Sequence, residues 1–206
     1  MMTSDGEARA RELATEAERL RCLGLNIAAI AKFNDALGEL GNSTARLKSW
    51  CLAHRGSARS ELGDTEGAIA DLDAAVELRK GEYAWALAHK GEAYRIFARG
   101  LATHTEEDHR RFSEAIENAC QAFQAACVLD GHSAWTHAHL GATLTLKLWH
   151  ESSWTKAELK AQKQSFDAAK AALDHALELQ PTYPWALQFE ALLFGIGGDE
   201  LAGKDW

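Results

Sequence analysis

Small and apolar residues recur along the chain with the spacing of a helix face. A stripe that begins with Ala carries Phe or Leu four positions later and Ala seven positions later, so its members share one side of a helix. The stripe occurs four times, as Ala29, Phe33 and Ala36, as Ala68, Leu72 and Ala75, as Ala119, Phe123 and Ala126, and as Ala169, Leu173 and Ala176. Turn residues follow each stripe at a constant interval, namely Gly41, Lys80 with Gly81, Gly131 and Pro181. Each stripe therefore predicts a helix that ends at a break.

A pattern that contains tryptophan precedes the later stripes and predicts another helix. The segment 84–91 recurs as 134–141 and, more loosely, as 184–191, and an earlier copy lies at 50–56. In each copy a Trp is followed four residues later by a second ring on the same helix face. The chain is thus predicted to consist of repeated helix pairs, with an interval of 35 residues between the first two Trp copies and of 50 between later ones.

The two later repeats are longer than the earlier ones. The interval from the glycine of the first helix to the alanine of the stripe is 12 residues over 56–68, but 28 residues over 91–119 and over 141–169. The third and fourth repeats therefore carry 16 extra residues each. We expect about two added turns on each helix of a pair, which would project about 12 Å. Because the insertions are equal in length, they are expected to stack as a wall.

The insertions carry signals of helix ends and starts. Gly100 offers a C-cap, and Thr105 with the acidic residues 106–108 offers an N-terminus. Ser153 with Trp154 is expected to start the other long helix.

Two helices per repeat, a small residue where they meet, and Pro or Gly before the next repeat resemble the tetratricopeptide repeat, most closely over Leu52 to Leu78. The resemblance implies an all-α fold, a right-handed solenoid of antiparallel helix pairs with about four repeats. It predicts a single domain over 1–206. Its parts are repeats at about 10–43, 49–82, 84–133 and 134–183, a C-terminal helix over 184–195 and a tail over 196–206.

Charge and composition exclude several classes of function. The net charge of −8 argues against a nucleic-acid partner, because phosphate binding needs a concentrated basic surface. The N-terminal segment has no apolar core, and no run approaches the roughly 18 apolar residues of a membrane span, so no membrane partner is predicted. The four cysteines form no CxxC pair and predict reduced thiols in a cytoplasmic protein.

The resemblance also implies a concave groove, lined by the first helices, that holds a peptide or a segment of a partner protein. The candidate ligand contacts are Trp50, His54, Trp85, His89, Glu92, Trp135, His139, Trp185 and Phe189. An alternative stays open, in which the tryptophans pack between repeats instead of facing the groove. The lysines and asparagines with which some family members hold a terminal carboxylate are not evident at the matching positions.

Other functions find less support in the sequence. The nine histidines include no pair four residues apart, and phosphate-loop, GxSxG and HExxH motifs are lacking, so no metal site, cofactor or catalytic residue is predicted. Self-association is the remaining alternative. It would give a homodimer or a structural scaffold through the C-terminal helix or the wall of long helices.

If the recurring histidines face the groove, ligand affinity will depend on pH. We expect it to change between pH ~5.5 and ~7.5, where an imidazole gains or loses its charge. Titrations of a bound peptide across that range measure the effect, and a flat profile would contradict a groove-facing role for His54, His89 and His139.

Overall fold

The computed structural model describes residues 4–40, 45–101, 105–150 and 156–201. These residues are helical, without a strand, so the all-α prediction is confirmed. The helices are α1 (Ser4–Cys22), α2 (Asn26–Glu39), α3 (Ala45–Glu61), α4 (Thr65–Leu78), α5 (Ala84–Gly100), α6 (Glu106–Leu129), α7 (Ala134–His150), α8 (Lys156–Leu179) and α9 (Pro184–Leu201).

The chain divides into two compact units, Met1–Gly100 and Leu101–Trp206. In the first unit, α1 packs on α2, α3 packs on α4, and each odd-numbered helix also contacts the next one, α1 with α3 and α3 with α5. In the second unit, α7 packs on α8 and contacts both α6 and α9. These contacts confirm the repeated helix pairs. That 1–206 forms one domain stays a prediction.

Several helices run beyond the predicted bounds. Helix α1 begins at Ser4 and α3 at Ala45, ahead of the predicted starts at 10 and 49, and α9 continues to Leu201 past the predicted end at 195. The added segment of α3, residues 45–48, consists of Ala, Arg, Leu and Lys, which have high helix propensity, so this helix extends past the repeat motif.

The extra residues of the third repeat are distributed unevenly, so the expectation of two turns on each helix is wrong there. Helix α6 has 24 residues, whereas α4 has 14. By contrast, α5 has 17 residues, as α3 has. Helix α5 ends nine residues after Gly91, and α3 ends five residues after Gly56. The insertion thus adds about one turn to the first helix and nearly three to the second. For the fourth repeat, the division of the insertion stays a prediction, because residues 151–155 lie outside the described residues.

The two insertions are expected to stack as a wall, and in the described residues they meet where α6 contacts α7. Among the described residues, no Cα atoms of α6 and α8 come within 8 Å. That the whole of both insertions forms a wall stays a prediction. The Phe112 ring of α6 stacks on the His150 imidazole at the end of α7, with centroids 4.0 Å apart.

Predicted helix ends are confirmed where the structure describes them. Thr105 caps α6, and its side chain and that of Asp108 each accept a hydrogen bond from the other residue's backbone N–H. Helix α5 ends at Gly100 as expected. The turn at Gly41 and the start at Ser153 and Trp154 lie outside the described residues.

The stripes form the core, and a glycine on the first helix brings the paired helix close. All twelve stripe residues are at most 1% exposed. A Cβ atom added to Gly141 would lie 2.5 Å from Leu173 Cγ and 3.1 Å from the Ala169 carbonyl oxygen. At Gly56 the corresponding distances to Leu72 and Ala68 are 2.8 Å and 3.0 Å. The glycine therefore sets the spacing of the pair.

The cysteines follow the prediction of unpaired thiols. All four are free, with Cys51 and Cys120 buried, Cys127 half-buried and Cys22 exposed. Burial raises the pKa of Cys51 and of Cys127 to about 11. Both therefore stay protonated at neutral pH.

Replacing Gly141 with Ala will destabilise the protein by about 1–3 kcal/mol, because the added methyl group overlaps Leu173 and the Ala169 carbonyl. The free energy of unfolding in urea, followed by far-ultraviolet circular dichroism, measures the change. Gly38→Ala is the matched control, since a Cβ there meets nothing within 4 Å. It should be neutral or stabilising by up to about 1 kcal/mol. Equal stability of the two variants would contradict the close approach.

Candidate functional site

Four of the candidate rings form a continuous stack in the first unit. Trp50 and His54 of α3 have ring centroids 4.0 Å apart, and the His54 imidazole lies 4.2 Å from Trp85 of α5, nearly parallel to it at 17°. The stack continues from Trp85 to His89 at 3.8 Å. Residues four apart on one helix share a face, and α3 contacts α5, so the two pairs interleave.

The second unit repeats this arrangement on α7 and α9. Trp135 and His139 stack at 4.0 Å, and His139 stacks on Trp185 at 5.1 Å with an interplanar angle of 12°. The stack ends at Phe189, 4.9 Å from Trp185. The structure thus brings together Trp50, His54, Trp85 and His89 in one stack, and Trp135, His139, Trp185 and Phe189 in another.

A buried phenylalanine supports the first ring pair of each stack. Phe33 of α2 lies 6.0 Å from Trp50, and Phe123 of α6 lies 6.2 Å from Trp135. Both phenylalanines are fully buried members of the stripes. They contact the indoles from the buried core, in the edge or tilted arrangements that aromatic pairs prefer.

Exposure differs between the members of a stack. His54, His139 and Phe189 are 8%, 6% and 8% exposed, whereas the four tryptophans, His89 and Glu92 are half-buried. The rings therefore pack between neighbouring first helices, and the indoles keep part of their surface accessible. Contact of these residues with a ligand stays a prediction.

A carboxylate from α1 holds the buried imidazole of His54. Glu18 Oε2 accepts hydrogen bonds from His54 Nδ1 at 2.8 Å and from Arg21 Nε at 2.8 Å. Burial of Glu18 disfavours its charge, but the hydrogen bonds from Arg21 and His54 outweigh it and hold the pKa of Glu18 well below its usual range. The buried imidazole thereby gains the polar partner that its burial requires.

Glu92, the acidic candidate, forms an ion pair within its own helix. Its carboxylate accepts hydrogen bonds from Arg95 Nε at 2.9 Å and from Arg95 Nη2 at 2.6 Å. Arg95 is 2% exposed, so Glu92 balances a buried guanidinium charge. Its neighbour His89 places Nδ1 3.5 Å from Ser57 Oγ of α3.

The remaining histidines do not assemble a metal centre in the described part of the chain. There, no group of three His, Cys, Asp or Glu side chains is arranged to hold an ion. His137 and His175 do meet, at 4.4 Å between centroids, and each places Nε2 3.2 Å from the Gly131 carbonyl oxygen. Within the described ranges, no helix is both long and apolar enough to span a bilayer.

Comparison with known proteins agrees with this architecture. Residues 51–82 and 150–183 match the family model of the tetratricopeptide repeat. The fold resembles the crystal structure of TTC0263, a tetratricopeptide repeat protein of Thermus thermophilus, with a TM-score of 0.57 and 19% identity over 94% of each chain. The chain thus carries two segments similar to the tetratricopeptide repeat, within a fold that resembles that of a tetratricopeptide repeat protein. The structure of MamA from Desulfovibrio magneticus RS-1 is also similar, with a TM-score of 0.37 and 20% identity over 89% of this chain and 99% of that chain. No curated protein matches the sequence.

One residue that contacts a candidate site residue was not found from the sequence. Glu18 lies 36 residues before His54, so no local spacing connects the two. The sequence offered one signal: Glu18 directly follows Ala17, and Ala17 aligns with Gly56 of α3. Gly56 lies half a turn beyond His54, the second ring of its pair.

Replacing Glu18 with Gln will lower the free energy of unfolding at pH 7 by about 1 kcal/mol, a small value because Glu18 is a quarter exposed and solvent screens its charge. Since the pKa of Glu18 is depressed in the folded state, its contribution is present above its usual value of 4.5 and is lost as the pH falls below it. The gap between wild type and variant should therefore narrow in acid. Urea titrations at several pH values measure it, with Glu12→Gln as an exposed control. A gap that widens in acid would be inconsistent with this assignment.

Proposed function

We propose that this protein binds extended segments of partner proteins, and that within each unit such a segment lies along the ring stack of the first helices. Tetratricopeptide repeat proteins generally mediate protein–protein interactions. The observation that carries the proposal is the row of half-buried indoles, which repeats on α3 and α5 and again on α7 and α9.

The chemistry of the stacks suits such a ligand. Partly exposed tryptophans that are held in place by neighbouring rings offer rigid apolar area, and residues of this kind dominate the energy of many interfaces. The buried imidazoles His54 and His139 fix the spacing of the indoles. The tryptophans therefore contact the ligand, and the histidines act by positioning them.

The role is that of an interaction module, not an enzyme, and the place of action is the cytoplasm. Proteins with this fold are typically interaction modules. The pKa of Cys51 and of Cys127 is raised, which disfavours a thiolate nucleophile at either position.

Self-association through the C-terminal helix is a second candidate. Leu187 and Phe194 of α9 are 44% and 39% exposed, and their spacing of seven residues places them on one face. A second copy of the chain would cover this face in a homodimer. Light scattering at several concentrations tests it, and a monomer at all concentrations would exclude it.

The double variant Trp85→Leu with Trp185→Leu tests the binding proposal. Peptides are first selected from a displayed random library on the wild-type protein, and their affinities are then measured by calorimetry. The variant should lose at least about tenfold in affinity, equal to about 1.4 kcal/mol, because each stack loses an indole but keeps an apolar side chain.

Trp149→Leu is the matched control, since Trp149 is 59% exposed and takes no part in either stack. It should bind as the wild type does. Circular dichroism verifies that all variants stay helical. Equal binding by the double variant and the control, or a selection that enriches no peptide, would refute binding along the stacks.

A further inference from the structure

A cavity of about 820 Å³ opens in the first unit beside Trp50. It lies where α1, the start of α3 and the turn between α4 and α5 come together. The side chains that line it include Arg11 and Thr15 of α1, Arg46, Leu47 and Trp50 of α3, and Arg79 and Tyr83 of the turn. Its volume is in the range of sites that bind ligands.

The cavity takes the place of a missing ring pair. Arg11 lies six residues before Ala17, as Trp50 lies six residues before Gly56, so Arg11 and Thr15 hold the positions that Trp and His hold on α3. The stack that runs through α3 and α5 therefore ends at Trp50, although α1 contacts α3. Beyond this end of the stack, Trp50 borders the cavity.

Three guanidinium groups surround this space, in a protein whose net charge is −8. No acidic side chain from the described part of the chain lines the cavity. Arg11 donates a hydrogen bond to Glu7 at 2.6 Å. Among the described residues, Arg46 and Arg79 have no carboxylate within 4.0 Å, and Arg79 lies over the Tyr83 ring at 5.2 Å. Two cationic groups are thus available to an anion.

The surface continues from the cavity along α1, which favours an elongated ligand. A second depression, of about 440 Å³, is lined by Arg11, Thr15 and Arg19 together with Glu12 and Glu16. Residues 11, 15 and 19 share one helix face and span about 12 Å. A chain of several residues would use both spaces, whereas a single small anion would use only one.

We propose that this cavity binds an acidic segment of a partner protein that carries an aromatic side chain. The ring packs against Trp50, and neighbouring carboxylates accept hydrogen bonds from Arg46 and Arg79. Guanidinium groups bind carboxylates through paired hydrogen bonds, which makes such contacts directional. The inference rests on the proposed function, because it assigns one end of the ligand surface to an acidic sequence.

Calorimetry with a defined probe tests the assignment. The probe is a peptide, blocked at both ends, with one phenylalanine between two pairs of glutamates. Wild type should bind it, and a tenfold increase in sodium chloride should weaken binding at least severalfold. The double variant Arg46→Glu with Arg79→Glu should lose at least about tenfold in affinity. Arg99→Glu, the same type of substitution at one exposed position outside the cavity, should leave it unchanged.

Several results would overturn the proposal. If the double variant and the Arg99→Glu control bind the probe with equal affinity, Arg46 and Arg79 do not contact it. If a probe with alanine in place of phenylalanine binds equally well, the phenylalanine ring makes no contact with Trp50. Trp50→Leu tests the same contact by changing the protein. Tighter binding of inorganic phosphate or of a nucleotide than of the peptide would identify a site for a free anion.

The test of the cavity can be distinguished from the test of binding along the ring stacks. Trp85→Leu with Trp185→Leu should leave the acidic probe bound, since neither residue lines the cavity. The arginine variant should likewise keep its affinity for library peptides that bind along the indoles. Loss of the acidic probe alone would support the cavity site, and loss of both ligands in either variant would contradict two separate sites.

Discussion

The close approach of two helices at a glycine is the contact on which the other features depend. Gly56 and Gly141 leave no room for a side chain, because the Leu and Ala of the paired stripe lie against them. This contact fixes the distance between the helices of a pair and the rotation of the first helix. The rotation in turn brings the indole and the second ring to the side where the next first helix lies. A larger distance between the helices at the glycine would therefore also change the distances between the stacked rings.

Periodicity was sufficient to predict the helices, because small and apolar residues spaced by four and seven positions share a face only in an α-helix. The stripe of Ala68, Leu72 and Ala75 is buried as its spacing indicated. The shared face of Trp85 and His89 was also predictable, since it follows from positions on one helix. What the sequence left open was how one pair meets the next, because that depends on contacts between helices far apart in the chain.

Two particular failures show this limit. The division of the 16 extra residues could not be predicted from the interval between Gly91 and Ala119, since it depends on where the first helix ends and the second begins. The bond from Glu18 to His54 could not be found, because each residue is unremarkable in its own repeat. The candidate site could be located because its Trp and second ring recur in the sequence. On α1, Arg11 and Thr15 stand at the positions of these rings. Only the structure shows that a cavity lies beside them.

The place of the insertions has a consequence for how this fold can vary. In the fourth repeat, the added residues lie between Gly141 of the first helix and Ala169 of the second. Gly141 nevertheless contacts Ala169 and Leu173 as Gly56 contacts Ala68 and Leu72 in the short repeat. The length of chain between these contacts can therefore differ between repeats while the contacts themselves stay the same. Insertions in that segment leave the ring stack on α7 and α9 in place.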